Sequence, residues 1–295
     1  MLADVVGLEA EDLLHVSCCG RTIGIPPEGM YATEATVDRI EIALSHAAMS
    51  RLLSVGRLPD NPIGVERRTF GDGHVALLVT SPVAHYAYFS RPFDIRAEHL
   101  EVEGLVAWYR QHGAACYVHL SPYFATEQML KSLHAAGLRQ SGFLNILCGV
   151  PGPDARQELP QGVHVQRVNE ATLDALVELL TCNAAAQERQ LCQRLARAEF
   201  TDWRCFLAYC DDQPAACAAL YVDRPTRTSV LAAAGTLADY RGRGCHTALI
   251  AARLAEAAGN GCTLVAVEAT PGSISQRNLE RAGLQVVETH AIWSF

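Results

Sequence analysis

The sequence has no Cys-x-x-Cys pair, no Gly-x-Ser-x-Gly elbow, no apolar run of membrane-spanning length and no excess of positive charge. Each absence removes a class of function. Without paired cysteines at zinc-ligand spacing, the eleven cysteines do not read as a zinc ribbon or finger. Their odd number and irregular spacing predict reduced thiols in a cytoplasmic chain, many of them small core residues. Without the elbow, no serine nucleophile of the hydrolase type is expected. A formal net charge of −8 leaves no basic face for general nucleic-acid binding. The first stretch, MLADVVGLEAEDLLHVSCCG, has no cationic n-region and carries Asp4, Glu9, Glu11 and Asp12, so neither a secretory signal nor a membrane partner is expected. His112, Cys116 and His119 are metal-compatible by type, but three residues along a strand is an odd step that sends Cys116 and His119 to opposite faces. No metal site is expected.

Hydrophobic residues make up 49% of the 295 and charged ones 19%, a balance that supports substantial cores and room for two domains. The segment GVPGPDARQELPQG, residues 149–162, holds three prolines and three glycines and reads as a linker. It divides a unit over residues 1–150 from one over residues 163–295.

In the second unit the pattern predicts a strand at VHVQRV and a helix at NEATLDALVELLTCNAAAQ, capped by Asn169 and continued through ERQLCQRLARAEF. Strands follow at WRCFLAYCDD and QPAACAALYVD about a turn at Asp211–Pro214, then at TSVLAAAGTLAD. HTALIAARLAEAAG is a helix closed by Gly259, CTLVAVEA a strand, SISQRNLERAG a helix with Gly283 just past its end, and LQVVETHAIWSF the last strand. The first unit offers helices at VDRIEIALSHAAMSRLLSVG, EHLEVEGLVAWYRQHG and TEQMLKSLHAAG, and strands at HVALLVTS, AHYAYFSR, AACYVHLS and LRQSGFLNILCGV. Its aromatic cluster of His85, Tyr86, Tyr88 and Phe89 suits packing or an acceptor pocket wall.

The two units overlay without a gap at an offset of 146 residues. Cys116 then meets Cys262, Lys131 meets Arg277, Leu133 meets Leu279, and Ala136-Gly137-Leu138 meet Ala282-Gly283-Leu284. The shared element order favours an internal duplication over chance. One motif has no counterpart: Arg241-Gly242-Arg243-Gly244 fall opposite Ile95-Arg96-Ala97-Glu98.

That motif stands between a strand and a long helix. A helix N-terminus exposes amides with no internal partner, and glycines before it let an anion approach the backbone closely. Arg241 and Arg243 add permanently charged, forked donors. The set fits a diphosphate. A dinucleotide fingerprint does not fit, because its third glycine would be Thr247.

GTLADYRGRGCHTALIAARL followed by LVAVEATPGSISQRNLERAGL resembles the GNAT superfamily of acyl-CoA-dependent N-acetyltransferases, over residues 163–295 in element order. The resemblance implies an α/β (α+β) fold of two tandem GNAT-like domains, each a mixed, mostly antiparallel sheet flanked by helices, the first without the phosphate turn. It implies acetyl-CoA as co-substrate, held by the amides and side chains of Arg241, Gly242, Arg243, Gly244, Cys245 and His246, with His246 standing where the family prefers Gly or Ala. Thr236 and Leu237 would meet the thioester and pantetheine arm at a splayed strand end, where Ala232–Gly235 are small. Ser275 and Asn278 would approach the cofactor from the next helix. The family's proton-donating tyrosine position is Leu279 here. Glu268, beside the apolar Val267 and Ala269, is a base candidate or a structural acid, and Tyr240 a catalytic or a binding residue. The implied reaction is direct attack of an amine, from a small molecule or a peptide, on the thioester. The alternative is a non-catalytic sensor or scaffold that binds coenzyme A.

Overall fold

The computed structural model describes residues 33–71, 74–80, 91–93, 101–152, 160–186, 188–200 and 202–295. The helices are α1 (Glu34–Gly56), α2 (Val102–Gln111), α3 (Glu127–Ala135), α4 (Leu173–Thr181), α5 (Arg189–Glu199), α6 (Cys245–Gly259) and α7 (Ile274–Arg281). The strands are β1 (Glu66–Phe70), β2 (His74–Leu78), β3 (Arg91–Pro92), β4 (Tyr117–Leu120), β5 (Arg139–Gly149), β6 (Val163–Arg167), β7 (Arg204–Cys210), β8 (Gln213–Asp223), β9 (Thr228–Thr236), β10 (Leu264–Ala269) and β11 (Gln285–Ser294). The aromatic cluster at 85–89, Ile95–Glu98 and the centre of the 149–162 segment lie outside the described residues.

Eight strands form one sheet in the order β4-β11-β5-β10-β9-β8-β7-β6, and β1-β2-β3 form a small second sheet. The large sheet is antiparallel except where β9 and β10 run parallel. Residues alternate across it. Val265, Val267 and Ala269 of β10 face a core built with α6, whereas Leu264 and Ala266 face one built with α1 and α4. Helix α1 is long because Thr33 accepts the Thr36 amide as N-cap and apolar residues recur at Val37, Ile40, Leu44, Ala47 and Ala48.

The central pairing is antiparallel between β5 and β11, with Leu144 opposite His290. These two positions lie 146 residues apart, and every other rung has an image at that spacing: Gln285 with Cys148 maps onto Ser294 with Arg139, and Glu288 with Ile146 onto Ile292 with Gly142. Even the bulges correspond, falling at Val287 and Ser141. Helices α3 and α7 also end alike. Gly137 and Gly283 have φ of 85° and 93°, and the amides of Leu138 and Leu284 close back on the carbonyls of Leu133 and Leu279.

The ungapped overlay fails at β4 and β10. His119 pairs with Ile292 as Glu268 pairs with Ile146, so these two strands correspond at a spacing of 149 residues. Three extra residues between the end of β4 and the end of α3 absorb the difference, two in the connection (121–126 against 270–273) and one in the helix, and Cys116 is matched by Val265 rather than Cys262.

Other departures are local. Helix α4 stops at Thr181 and α5 starts anew at Arg189, where a single run through residue 200 is expected from sequence. Asn169 caps a short 3-10 turn over Glu170–Thr172 rather than α4 itself. Helix α6 runs through Gly259, with Gly261 at φ 73° just beyond its cap. Strand β1 has no signature in the sequence: four of its five residues, Glu66 to Thr69, are exposed, so no apolar alternation marks it.

Candidate active site

The turn before α6 is built from β9 outward. A 3-10 turn over Ala238–Tyr240 leads into Arg241, and Gly242 and Gly244 adopt φ of 77° and 85°. Gly244 is the N-cap of α6 and brings no side-chain cap. The amides of Gly242 through Thr247 have no backbone acceptor among the described residues, the arrangement that attracts an anion. The two glycines differ in their surroundings. A Cβ on Gly242 would meet nothing, whereas a Cβ on Gly244 would overlap the Pro160 ring, so the linker end fixes that position as glycine.

The arginines also differ. Arg243 donates to Asp211 Oδ2 at 2.5 Å, on the β7–β8 turn, and lies over the half-buried Tyr240 ring at 5.9 Å. Arg241 is exposed, reaches Thr236 O at 3.4 Å, and stands at the rim of a cavity of about 720 Å³. That cavity runs beneath the end of β9, past Ala233–Leu237, to the α4–α5 connection around Cys182 and Asn183. The break between the two helices therefore makes one wall of it. Thr236 and Leu237 line it, and the Leu237 amide is engaged, donating to Ala215 O at 3.0 Å. Arg51 and Glu199 form an ion pair on the same wall. Cys217 lines it too, but burial pushes its thiol up to about 12, so it is no nucleophile at neutral pH.

Strand β9 splays here. Its ladder with β10 ends at Leu231 and Val267, although the strands run on to Thr236 and Ala269. On its other side the pairing with β8 slips, so that Ala233 and Ala234 together oppose Ala218, and Ala233 takes φ 50°. Arg253 of α6 sits beneath this bulge, only 1% exposed, and donates to Leu249 O at 3.0 Å and to Ala219 O and Ala232 O at 3.4 Å. Burial lowers its pKa to about 10, so it remains a cation.

His246 and Asn278 meet each other. The Asn278 Nδ2 lies 3.0 Å from His246 Nδ1, so the amide donates and the ring proton is placed on Nε2. Burial first, and then the Arg253 charge, lower the His246 pKa to about 4. Ser275 is half-buried on α7. Cys245 is buried in the core, so only its amide is open to a ligand, and Leu279 is 1% exposed in the same core.

Glu268 does not line the large cavity. Its chain neighbours Val267 and Ala269 point to the α6 face, so the apolar surroundings expected from sequence belong to the opposite side of the strand. Glu268 faces Arg91 Nη1 at 3.5 Å and His119 Nδ1 at 3.9 Å, around a cavity of about 20 Å³. Arg91 is hydrogen-bonded to His119, whose pKa burial and the charges of Arg91 and His290 hold well below the usual imidazole range. Cys116 is buried in the other core and His112 Nδ1 lies 2.8 Å from Trp108 O. Arg91, Arg253, Glu41, Glu288 and His290 carry no sequence signal, since isolated charges in apolar runs read as surface positions.

Residues 173–283 match the family model described as the acetyltransferase (GNAT) family. The C-terminal part of the chain is thus a GNAT acetyltransferase domain, of an acyltransferase family. Comparison with curated proteins gives no match. Among solved structures, a GCN5-related N-acetyltransferase from Kribbella flavida superposes with a TM-score of 0.58 at 18% identity, over 86% of this chain and 95% of that one. A tandem GNAT protein from the clavulanic acid biosynthesis pathway gives 0.55 at 12% identity, over 90% and 97%. A GCN5-related N-acetyltransferase from Sphaerobacter thermophilus gives 0.53 at 14% identity, over 88% and 92%. These likenesses in fold extend well beyond the matched domain. Among the described residues no helix is long and apolar enough to cross a membrane.

Proposed function

We propose that the protein transfers an acetyl group from acetyl-CoA to an amine by direct attack, in a site formed between the ends of β9 and β10. The observation that carries this reading is the end of the β9–β10 ladder at Leu231 and Val267, beside a turn whose amides have no backbone acceptor among the described residues. When bound, acetyl-CoA supplies a thioester carbonyl open to an amine. The residues fit it: open amides of Gly242 to His246 and the guanidinium of Arg241 suit a diphosphate, and Arg243, held by Asp211, adds charge at the margin. Thr236 and the small Ala232–Gly235 segment leave the splayed strand accessible, while Arg253 holds the bulge from beneath.

Glu268, held by Arg91 and His119 outside the large cavity, acts as base for the amine through a water chain. Tyr240 shapes the turn beneath Arg243. Ser275 and Asn278 contribute from α7, Asn278 by fixing the His246 tautomer. The cavity by the α4–α5 connection takes the acceptor, a small amine or a peptide amine.

We further propose two GNAT-like units, residues 1–150 and 163–295, related by the approximate two-fold axis between Leu144 and His290. The first is a degenerate copy. Each would lend its last strand to the other, since β5 pairs with β10 and β11 with β4. A second reading, a sensor or scaffold that binds coenzyme A without turnover, is favoured by one observation: the family's tyrosine position is a core leucine, Leu279. Thiol release from acetyl-CoA across a broad panel of amines separates the two. Amine-dependent release supports the enzyme; binding with no release by any amine supports the sensor.

A further inference from the structure

On the α1 face of the sheet, beyond the proposed acetyl-transfer site, Glu41 of α1 meets Glu288 and His290 of β11. Glu288 and His290 are two residues apart on one strand and so share a face. His290 Nε2 lies 3.2 Å from Glu41 Oε1 and 3.3 Å from Glu288 Oε1, and the three ligand-type atoms all fall within 4.8 Å of one another. His290 is 2% exposed and Glu288 5%. Close as they are, none of these three atoms has a hydrogen-bond partner among the described residues, because the ring N–H is aimed at neither carboxylate. The other oxygen of Glu288 is anchored, accepting from Ser121 Oγ at 2.5 Å.

A proton on Nε2 lies along one direction and serves one acceptor. A cation at the centre of the three atoms serves all of them. Ligand atoms on bonds of about 2.1 Å stand roughly 3.0 Å apart in octahedral and roughly 3.4 Å apart in tetrahedral geometry, and the two edges that meet at the ring nitrogen, 3.2 and 3.3 Å, fall between. Charge points the same way. In the ion-free cluster burial disfavours a proton on the ring, but Glu288 and Glu41 outweigh it and raise the ring's pKa to about 10. One imidazolium against two carboxylates leaves a net negative charge, and a divalent ion that displaces the ring proton makes the set neutral. The adjoining cavity of about 20 Å³, lined by Glu41 and His290, has room for one water as a fourth ligand.

We propose that Glu41, Glu288 and His290 bind a divalent first-row transition cation of the zinc type, which ties helix α1 to strand β11. Nitrogen and oxygen donors suit zinc, with three protein ligands and a water completing four-coordination.

The test uses the full chain, stripped with a chelator and dialysed, then titrated with Zn²⁺ by calorimetry. One equivalent binds per chain, the thermal midpoint rises, and added chelator reverses both. Glu41→Gln and His290→Gln each weaken binding by at least a hundredfold. If His290→Gln fails to fold, Glu41→Gln alone decides, since that side chain is 16% exposed at the edge of the cluster. Substitution with Co²⁺ gives visible bands without thiolate charge transfer. No saturable binding, equal affinity in Glu41→Gln, or a thiolate charge-transfer band placing the ion on cysteines would each overturn the proposal. The readouts do not involve acetyl-CoA, so failure here leaves the acetyl-transfer reading standing, and the reverse also holds.

Discussion

Leu231 and Val267 form the last rung between β9 and β10, and past them the two parallel strands part. The slip on the other side of β9 and the guanidinium of Arg253 below Ala232 keep them apart. Arg253→Met removes those donors and relaxes the bulge. Acetyl-CoA affinity is expected to fall at least tenfold, with Arg253→Lys retaining part of it because the ammonium still donates. Calorimetry on both variants checks this, with circular dichroism to confirm folding. Equal affinity in wild type and Arg253→Met would show that the bulge stands without the arginine.

Gly242 and Gly244 separate binding from stability. Gly244→Ala meets Pro160 and a left-handed backbone, so it destabilises by about 2 kcal/mol or more. Gly242→Ala meets only the backbone penalty, about 1 kcal/mol. Urea denaturation gives both values. Pro160→Ala together with Gly244→Ala recovers part of the first loss; no recovery would mean that the proline ring is not the obstacle.

Glu268→Gln removes the proposed base and leaves the turn before α6 untouched. Turnover is expected to drop by roughly a hundredfold with acetyl-CoA affinity within a factor of two. Parallel loss of affinity would assign Glu268 to cofactor binding instead.

His246 gives a pH signature. Its folded pKa of about 4 lies below the unfolded value of 6.5, so between these limits the unfolded chain binds more protons. Its contribution to stability is therefore full above about pH 6.5 and shrinks as pH falls towards 4. Urea midpoints of wild type and His246→Gln, compared from pH 7.5 down to pH 4, isolate it. The wild type should lose stability more steeply; equal slopes would contradict the buried neutral ring.

Much of the second half of the chain is legible in its sequence. Strand and helix periods, the Asp211-Asp212 turn, with φ of 51° and 60°, and the glycines at 242, 244 and 283 mark their elements directly. What is not legible comes from pairing across long separations. The exchange of β5 and β11 between β4 and β10, the break between α4 and α5 and the three-residue insertion after β4 leave no local mark. The same holds for side chains. Glu268 reads as flanked by apolar residues, yet its partners are Arg91, 177 residues away along the chain, and His119. Arg253 reads as the polar face of a helix, yet it is 1% exposed and lies under the β9 bulge.

The most direct test of the central claim is calorimetric titration of the folded full chain with acetyl-CoA, beside an Arg241→Glu, Gly242→Asp double variant that avoids the Pro160 contact. Saturable binding by the wild type, weakened at least a hundredfold in the variant, is the predicted result. No heat with the wild type, or undiminished affinity in the variant, would contradict it.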